Sequence, residues 1–268
     1  MIDKGKYPVL GTRVSAVDYQ VTVHKVLQAA LDNRPFTVSA LAVHGIMTGY
    51  LDTVHRRRLN GIDLIVPDGQ PVRWALRLMY KVVLPDRVYG PELMLRLMQG
   101  AVQNCIPVYL YGSTEETLSL LAANMQTLFP NLIIAGQEPS KFRRLSPWEK
   151  EELVNRITSS GARMVLVGLG CPRQEAWIYE YRKSLRMPLV AVGAAFDFHA
   201  QTARQAPFWM QRCGLEWFYR LVQEPKRLWR RYLLLNPLYV LALSLEIAGL
   251  KSVTVIMPDG REPEELYG

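Results

Sequence analysis

Short apolar, β-branched runs alternate along this chain with longer segments of helical period, and that alternation limits the fold more than any other feature. Six runs read as strands: FTVSA (36–40), DLIVP (63–67), PVYLYG (107–112), LIIAG (132–136), RMVLVG (163–168) and PLVAVG (188–193). Between them lie SALAVHGIMTGYLDTVHRRRLN, QPVRWALRLMY, PELMLRLMQGAV, TEETLSLLAANMQTLF, SPWEKEELVNRITSS and PRQEAWIYEYRKSL, the last three amphipathic. STEE (113–116) has the form of a capping box, and SPWE (146–149) sets Pro147 at a first helical position. Strands alternating with helices predict an α/β fold, a mainly parallel sheet flanked by helices on both faces. Such sheets bind ligands beyond the carboxyl ends of their strands, where Ser39, Asp68, Gly112, Gly168 and Gly193 fall.

After about residue 200 the pattern changes. GLEWFYRLVQEPKRLWRRYLLLNPLYVLALSLEIAGL reads as helices interrupted at Pro225 and Pro237, and SVTVIM (252–257) as a late strand. With 268 residues, the chain divides on this reading into a core over 1–207 and a helical, basic and apolar appendage over 208–268. Net charge is +8, and Arg212 to Arg231 hold six basic residues against Glu216 and Glu224, directly before the apolar stretch. This layout favours an anionic membrane surface or a phosphate over nucleic acid. A spanning helix is not expected, because Pro237 and Glu246 leave the apolar run short of the ~20 residues required. The same segment could instead pack on protein or against another subunit in a homo-oligomer. The first residues lack the apolar core of a secretion signal, which predicts a cytoplasmic chain. Cys105, Cys171 and Cys213 are odd in number and far apart, and the four histidines show no ligand spacing, so neither disulfides nor a metal site is expected.

Several short motifs have more than one reading. Asp68 with Gly69, after a strand and before a helix, is either a cap or a working group. In VLVGLGCPRQEAW, Gly168 and Gly170 let backbone approach a ligand and the helix from about Pro172 offers free amides to a phosphate; a tight strand-to-helix turn is the plainer alternative. The dinucleotide fingerprint fails there, because Arg173 holds the third glycine position, which argues against an oxidoreductase. Arg87 either pairs with Asp86 or forks onto a phosphate. Asp197, between two phenylalanines, either holds a loop or meets a cation, and His199 is a buried polar group or a catalytic one. By helical spacing Arg227, Arg230 and Arg231 share one face, with Arg220 a helix earlier.

Taken in order, LIVPDGQPV, RVYGPEL, VYLYGSTEE, GLGCPRQEAW, GAAFDFHA and GLEWFYRLVQEPKRLWRRY resemble the WecG/TagA/CpsF family of bacterial glycosyltransferases from about Phe36 to Tyr232. The resemblance implies a Rossmann-like core and an inverting, metal-independent transfer from a UDP-sugar (glucose, N-acetylmannosamine or its uronic acid) to a polyprenyl-diphosphate-linked glycan. The work would be done at the inner face of the plasma membrane, with no cofactor beyond the co-substrate. The finer likeness is to members serving exopolysaccharide assembly, including the xanthan-type glucosyl step. It implies Asp68 as general base, with Ser39, Arg87 and Gln174 as catalytic partners and Arg220, Arg227 and Arg230 as phosphate ligands. Gly69, Gly112, Gly168, Gly170, Pro172, Glu175, Gly193, Asp197 and Arg231 complete the expected binding set. This sequence departs from the family at Leu41, where Asn is usual, and at Gln201 and Gln205, where Gly and Arg are usual; Arg204 is adjacent. The last two departures are expected to retune the donor pocket. A non-catalytic module that binds membrane surfaces is the remaining alternative.

Overall fold

The computed structural model describes residues 1–268. All six expected strands form one parallel sheet: β3 (Phe36–Leu41), β4 (Leu64–Pro67), β5 (Val108–Gly112), β6 (Ile134–Glu138), β7 (Met164–Gly168) and β8 (Pro188–Ala191), in the order β4-β3-β8-β7-β5-β6. They are preceded by an antiparallel hairpin, β1 (Asp3–Val9) and β2 (Thr12–Val17), absent from the sequence reading. The helices are α1 (Tyr19–Leu31), α2 (Val43–Leu51), α3 (Thr53–Asn60), α4 (Gln70–Tyr80), α5 (Gly90–Gln103) and α6 (Glu115–Leu128). They continue with α7 (Pro147–Ser159), α8 (Arg173–Tyr181), α9 (Ala195–His199), α10 (Phe208–Arg212), α11 (Glu216–Gln223) and α12 (Pro225–Ile247).

Alternation along each strand feeds two cores. Ile65, Tyr109, Tyr111, Val165, Val167 and Leu189 face the layer of α2, α4, α8 and the hairpin. Leu64, Val66, Leu110, Leu166 and Val190 face the layer of α1, α5 and α6. Both faces are therefore apolar, as a doubly covered sheet requires. β5 leads outward to β6 while β7 leads the other way to β8, so the sheet's switch point lies between β5 and β7. There Gly112, at φ 113, lets the rims meet; a Cβ would stand 2.8 Å from the Gly168 carbonyl carbon.

Local chemistry explains the differences from expectation. The long segment between β3 and β4 is two helices, because Asp52 caps α3 through Val54 and His55 amides. The N-cap of α6 is Thr114, not Ser113, which sits at φ 56. Ser146 and Glu149 do form the capping box of α7, with Pro147 in its first turn. Pro237 does not interrupt α12, which runs through it, whereas Pro225 occupies the first turn where its missing N–H costs nothing.

Residues 252–257 form no strand. The tail is tied to the core by side chains instead: Asn60 Nδ2 donates to the Ile256 carbonyl at 2.8 Å, and Tyr179 Oη donates to Glu262 at 2.7 Å. Glu180 accepts the amides of Glu265 and Leu266. Tyr239, Ala242 and Leu243 of α12 join the core cluster under α2 and α4. The helices after residue 208 are thus anchored at their far end and loosely covered at the near end, where α11 has no fully buried residue. No helix is long and apolar enough to cross a membrane.

Candidate active site

A cavity of about 340 Å³ opens at the carboxyl ends of β3, β4, β5, β7 and β8, roofed by α11 and the start of α12. Its size is in the usual range for small-molecule sites. Asp68 is on its floor. The carboxylate does not cap the helix that follows it; Gly69 is the N-cap of α4 and offers no side chain. It accepts the amide of Gly90, the first residue of α5, at 2.7 Å. Burial pushes Asp68 up to about 6, Arg87 opposes that rise, and Glu216 adds to it. A carboxylate poised there at neutral pH is ionised yet basic enough to take a proton.

Glycine gives the floor its backbone. Gly170 holds φ 73 with nothing within 4 Å of where a Cβ would be, so the chain there is open to a ligand. The amides expected from α8 are fewer than the sequence implied: the Gln174 amide is spent on the Gly170 carbonyl at 3.0 Å, and Pro172, the N-cap after a cis peptide, has none. What α8 presents instead is the Gln174 side chain, only 2 % exposed, with an Oε1 that has no partner. Its Nε2 donates to Glu175 at 2.8 Å, and Ser39 Oγ donates to the same Glu175 Oε1 at 2.9 Å. Burial raises the Glu175 pKa, and these two donors pull it down. Ser39 therefore does not reach the cavity; on β3 its side chain points toward α8, and Ala40 and Leu41 form the lining. It acts on the site through Glu175 and Gln174. Cys171 lines the floor with its thiol against His44 Nδ1 at 3.4 Å; burial, and then Glu175, raise its pKa well above the usual value.

The opposite wall is cationic. Arg220 of α11 and Arg227 and Arg231 of α12 line the cavity, together with Asp197. Arg227 is paired with Glu224 at 2.6 Å, while Arg220 and Arg231 form no ion pair, and Arg231 Nε is buried without a partner. Burial raises Asp197 while Arg227 and Arg220 pull it down, but it forms no ion pair with either; its carbonyl accepts the Thr202 and Ala203 amides and so holds the loop. Arg230 lies elsewhere: it is exposed over the Trp229 ring and does not line the cavity, whereas α12 turns Arg231 inward and leaves Arg227 exposed at the cavity's edge.

Arg87 is also placed otherwise than expected. It is buried behind Tyr89, its guanidinium 4.0 Å from that ring, and donates to Glu216 at 2.8 Å and Gln211 at 3.2 Å rather than into the cavity. Tyr89 Oη donates to the other Glu216 oxygen at 2.9 Å. Glu216 thereby fastens α11 to the core beside Asp68. Neither Glu216 nor Tyr89 was expected in this role, although an acid opening an amphipathic helix and a tyrosine before Gly-Pro were visible signals.

Gly168 and Gly193 line the cavity, while Gly69, Gly112, Pro172 and Glu175 support it from behind. His199 is a partly buried structural group, within 2.9 Å of the Pro91 carbonyl. Gln201 adopts φ 61, the left-handed backbone that glycine takes most easily, and Gln205 lines a neighbouring cavity rather than this one. Nowhere do three or more His, Cys, Asp or Glu side chains converge as a metal site.

The chain matches the model of the glycosyl transferase WecG/TagA/CpsF family over residues 7–252. Family membership sets aside both the oxidoreductase and the non-catalytic membrane module as readings of the rim. A parallel sheet with its polar rim under a basic roof, matched over nearly the whole chain, makes this protein a member of the WecG/TagA/CpsF family of glycosyltransferases.

Proposed function

We propose that this chain transfers a sugar, with inversion, from a UDP-sugar to a polyprenyl-diphosphate-linked glycan, in the assembly of a bacterial surface or exopolysaccharide. The observation that carries the reading is one cavity in which Asp68, shifted up to about 6, faces Arg220 and Arg231, which lack ion-pair partners. Inversion takes a single in-line displacement. An acceptor hydroxyl attacks the anomeric carbon, the bond to the diphosphate breaks, and its electron pair leaves on UDP. The hydroxyl proton passes to the free oxygen of Asp68, whose other oxygen is held by Gly90. Charge building on the diphosphate is met by the two arginines and by the open backbone at Gly170. Gln174 Oε1 is available to a hydroxyl or imide donor of the donor substrate. Glucose, N-acetylmannosamine and its uronic acid are the donor sugars to try first.

A prenyl-linked acceptor places the reaction at a bilayer, and the appendage suits that. Phe208, Trp209, Phe218, Val222, Trp229, Leu233 and Leu234 are all exposed, alongside Arg212, Lys226 and Arg230. An apolar patch bordered by cations attaches to an anionic leaflet from one side, without crossing it. Peripheral attachment at the inner face of the plasma membrane is the corresponding location.

UDP release should be measured for each UDP-sugar, with and without a short-chain prenyl-diphosphate glycan, and again with a chelator present. Acceptor-dependent release that survives chelation is the expected result. Release abolished by the chelator and restored by a divalent ion would overturn the arginine-based account, and NAD-dependent chemistry in its place would overturn the reading altogether.

A further inference from the structure

The chain beyond α12 crosses the molecule and returns to the donor side of the cavity. It lays Val253 against Gly11 of the first hairpin and pairs Asp259 with Arg57 of α3 at 3.1 Å. It then passes α8, where Glu180 accepts the Glu265 amide at 2.7 Å and the Leu266 amide at 3.1 Å. Residues 253–268 lie beyond the part of the chain that the family matches.

At the loop between β6 and α7 the tail's contacts become main-chain ones. Leu145 donates its amide to the Leu266 carbonyl at 2.7 Å, Gly268 donates to the Arg143 carbonyl at 3.1 Å, and Arg144 and Tyr267 form an antiparallel bridge. Gly268 is buried there, and a Cβ on it would stand 2.2 Å from the Leu145 side chain. Ser140 is the joint. Its hydroxyl donates to the Gly268 main-chain oxygen and accepts the Phe142 amide at 3.0 Å. Its own amide donates to the Ser113 carbonyl at 3.0 Å, and the Ser113 amide donates to the Gly168 carbonyl at 3.1 Å. Ser113, Phe142 and Gly168 all line the cavity, so a continuous chain of hydrogen bonds runs from the tail to its wall.

Phe142 shows what that chain holds. Its side chain is 60 % exposed and its φ is 52, a backbone state that a residue with a Cβ keeps only where its surroundings fix it. Burial of the ring does not fix it. Two acceptors on its amide do: Ser140 Oγ, and the Gly268 oxygen at 3.2 Å.

We infer that residues 265–268 are a positioning strap, which holds the loop over residues 140–145 so that Phe142 and Ser113 stand at the cavity wall where the donor's nucleotide binds. The assignment rests on the sugar-transfer reading above. The strap serves donor binding and not proton transfer, because Asp68 is held by Gly90 and shares no hydrogen bond with this loop.

Three variants of the full chain test it. Gly268→Ala sets a Cβ against Leu145, Leu266→Pro removes the amide held by Glu180, and Ser140→Ala removes a single hydroxyl. Asp259→Ala, on the same tail but facing α3, is the control. Each is measured for UDP affinity by titration, for donor KM and kcat, and for hydrogen exchange at the Phe142 amide. The expected result in all three is a UDP Kd and a donor KM raised about three- to tenfold, kcat changed less than about twofold, and faster exchange at Phe142, with none of these in the control. Unchanged UDP affinity in the variants that fold would overturn the strap, as would a fall in kcat with donor KM unmoved, or a control that behaves like the variants. Ser140→Ala decides the matter if the other two do not fold. Wild-type protein that binds no UDP would instead sink the sugar-transfer reading, and the exchange rate at Phe142 would still report whether the tail holds the loop.

Discussion

The rim of the sheet and the terminal helices contribute to one cavity on opposite terms. Every residue from Gln174 to Tyr181 of α8 is buried, and Trp177 is stacked between Tyr111 and Tyr181 at 4.8 and 4.2 Å. α11, across the cavity, has no fully buried residue, and it meets the core beside Asp68 through the paired contacts of Glu216. On the proposed function, the groups that must be placed to within a fraction of an ångström are on the rigid side, and the cations that would meet a diffuse phosphate charge are on the loosely covered side. A side with few buried apolar contacts is also the side able to rearrange when substrate or membrane is present.

The largest effect should come from the rigid side. Asp68→Asn is expected to lower kcat by about 10²–10⁴, the usual contribution of a positioned base. Asparagine can still accept the Gly90 amide, so the fold should persist and gain stability. The sign follows from linkage: a carboxylate whose folded pKa is about 6 against 3.8 holds its proton more tightly when folded, so stability is lost as pH rises from about 4 to about 6. Asparagine avoids that penalty at neutral pH, where about 1–2 kcal/mol, after allowance for solvent reaching the group through the cavity, corresponds to a melting point higher by a few degrees. Wild-type kcat/KM should fall tenfold per pH unit below about 6, and Asp68→Asn should show no such limb. A variant that is inactive and also less stable at neutral pH would mean that Asp68 is structural.

On the loose side, Arg220→Ala and Arg231→Ala should each cost about 3 kcal/mol of barrier, on the order of a hundredfold in kcat, without moving the melting point. Equal losses in stability and rate would show instead that these arginines pin the roof. Removing the whole appendage is a poorer test, because Tyr239, Ala242 and Leu243 belong to the core and the tail beyond them binds Glu180.

The same contrast explains what could be read from sequence. Five of the strands were legible because both of their faces are buried, which leaves uninterrupted apolar runs; β6, at the sheet's edge and only partly buried, was legible from its LIIAG run alone. The first hairpin was not: DKGKYPV has a single buried residue and three charged ones, and its turn uses Leu10 and Gly11 at φ 48 and 80 instead of an Asn-Gly pair. Asp68, Gln174 and Asp197 were legible because strand ends in a parallel sheet converge. Ser39 was misplaced by one step of strand alternation, and Arg87 by an ion pair with a residue 129 positions away. That Arg231 and not Arg230 turns inward depends on how α12 is rotated against α2 and α4, which local spacing does not determine.

Glu216 is the seam between the two sides, and Glu216→Gln should give an intermediate effect. Removing its charge takes away one influence that raises Asp68 and leaves Arg87 free to lower it further, so the acid limb should move below about 6. The weaker base and the loosened Tyr89 and Arg87 contacts should together lower kcat at neutral pH by roughly tenfold, about 1.4 kcal/mol. A limb that stays at its wild-type position would show that Asp68 is not the titrating group.

Arg230→Ala should have the smallest effect, and it sharpens the contrast because its neighbour Arg231 is predicted to be so costly. Arg230 is exposed over Trp229 and does not line the cavity, so turnover of a soluble acceptor should change less than about twofold. Its charge still belongs to the patch bordering the exposed aromatic residues. Binding to vesicles containing anionic lipid should weaken by about 1 kcal/mol, roughly fivefold, and the difference from wild type should vanish in high salt. A hundredfold loss with the soluble acceptor would mean that α12 rotates during the reaction to bring Arg230 onto the diphosphate, making the loosely covered side a moving part of the catalytic geometry.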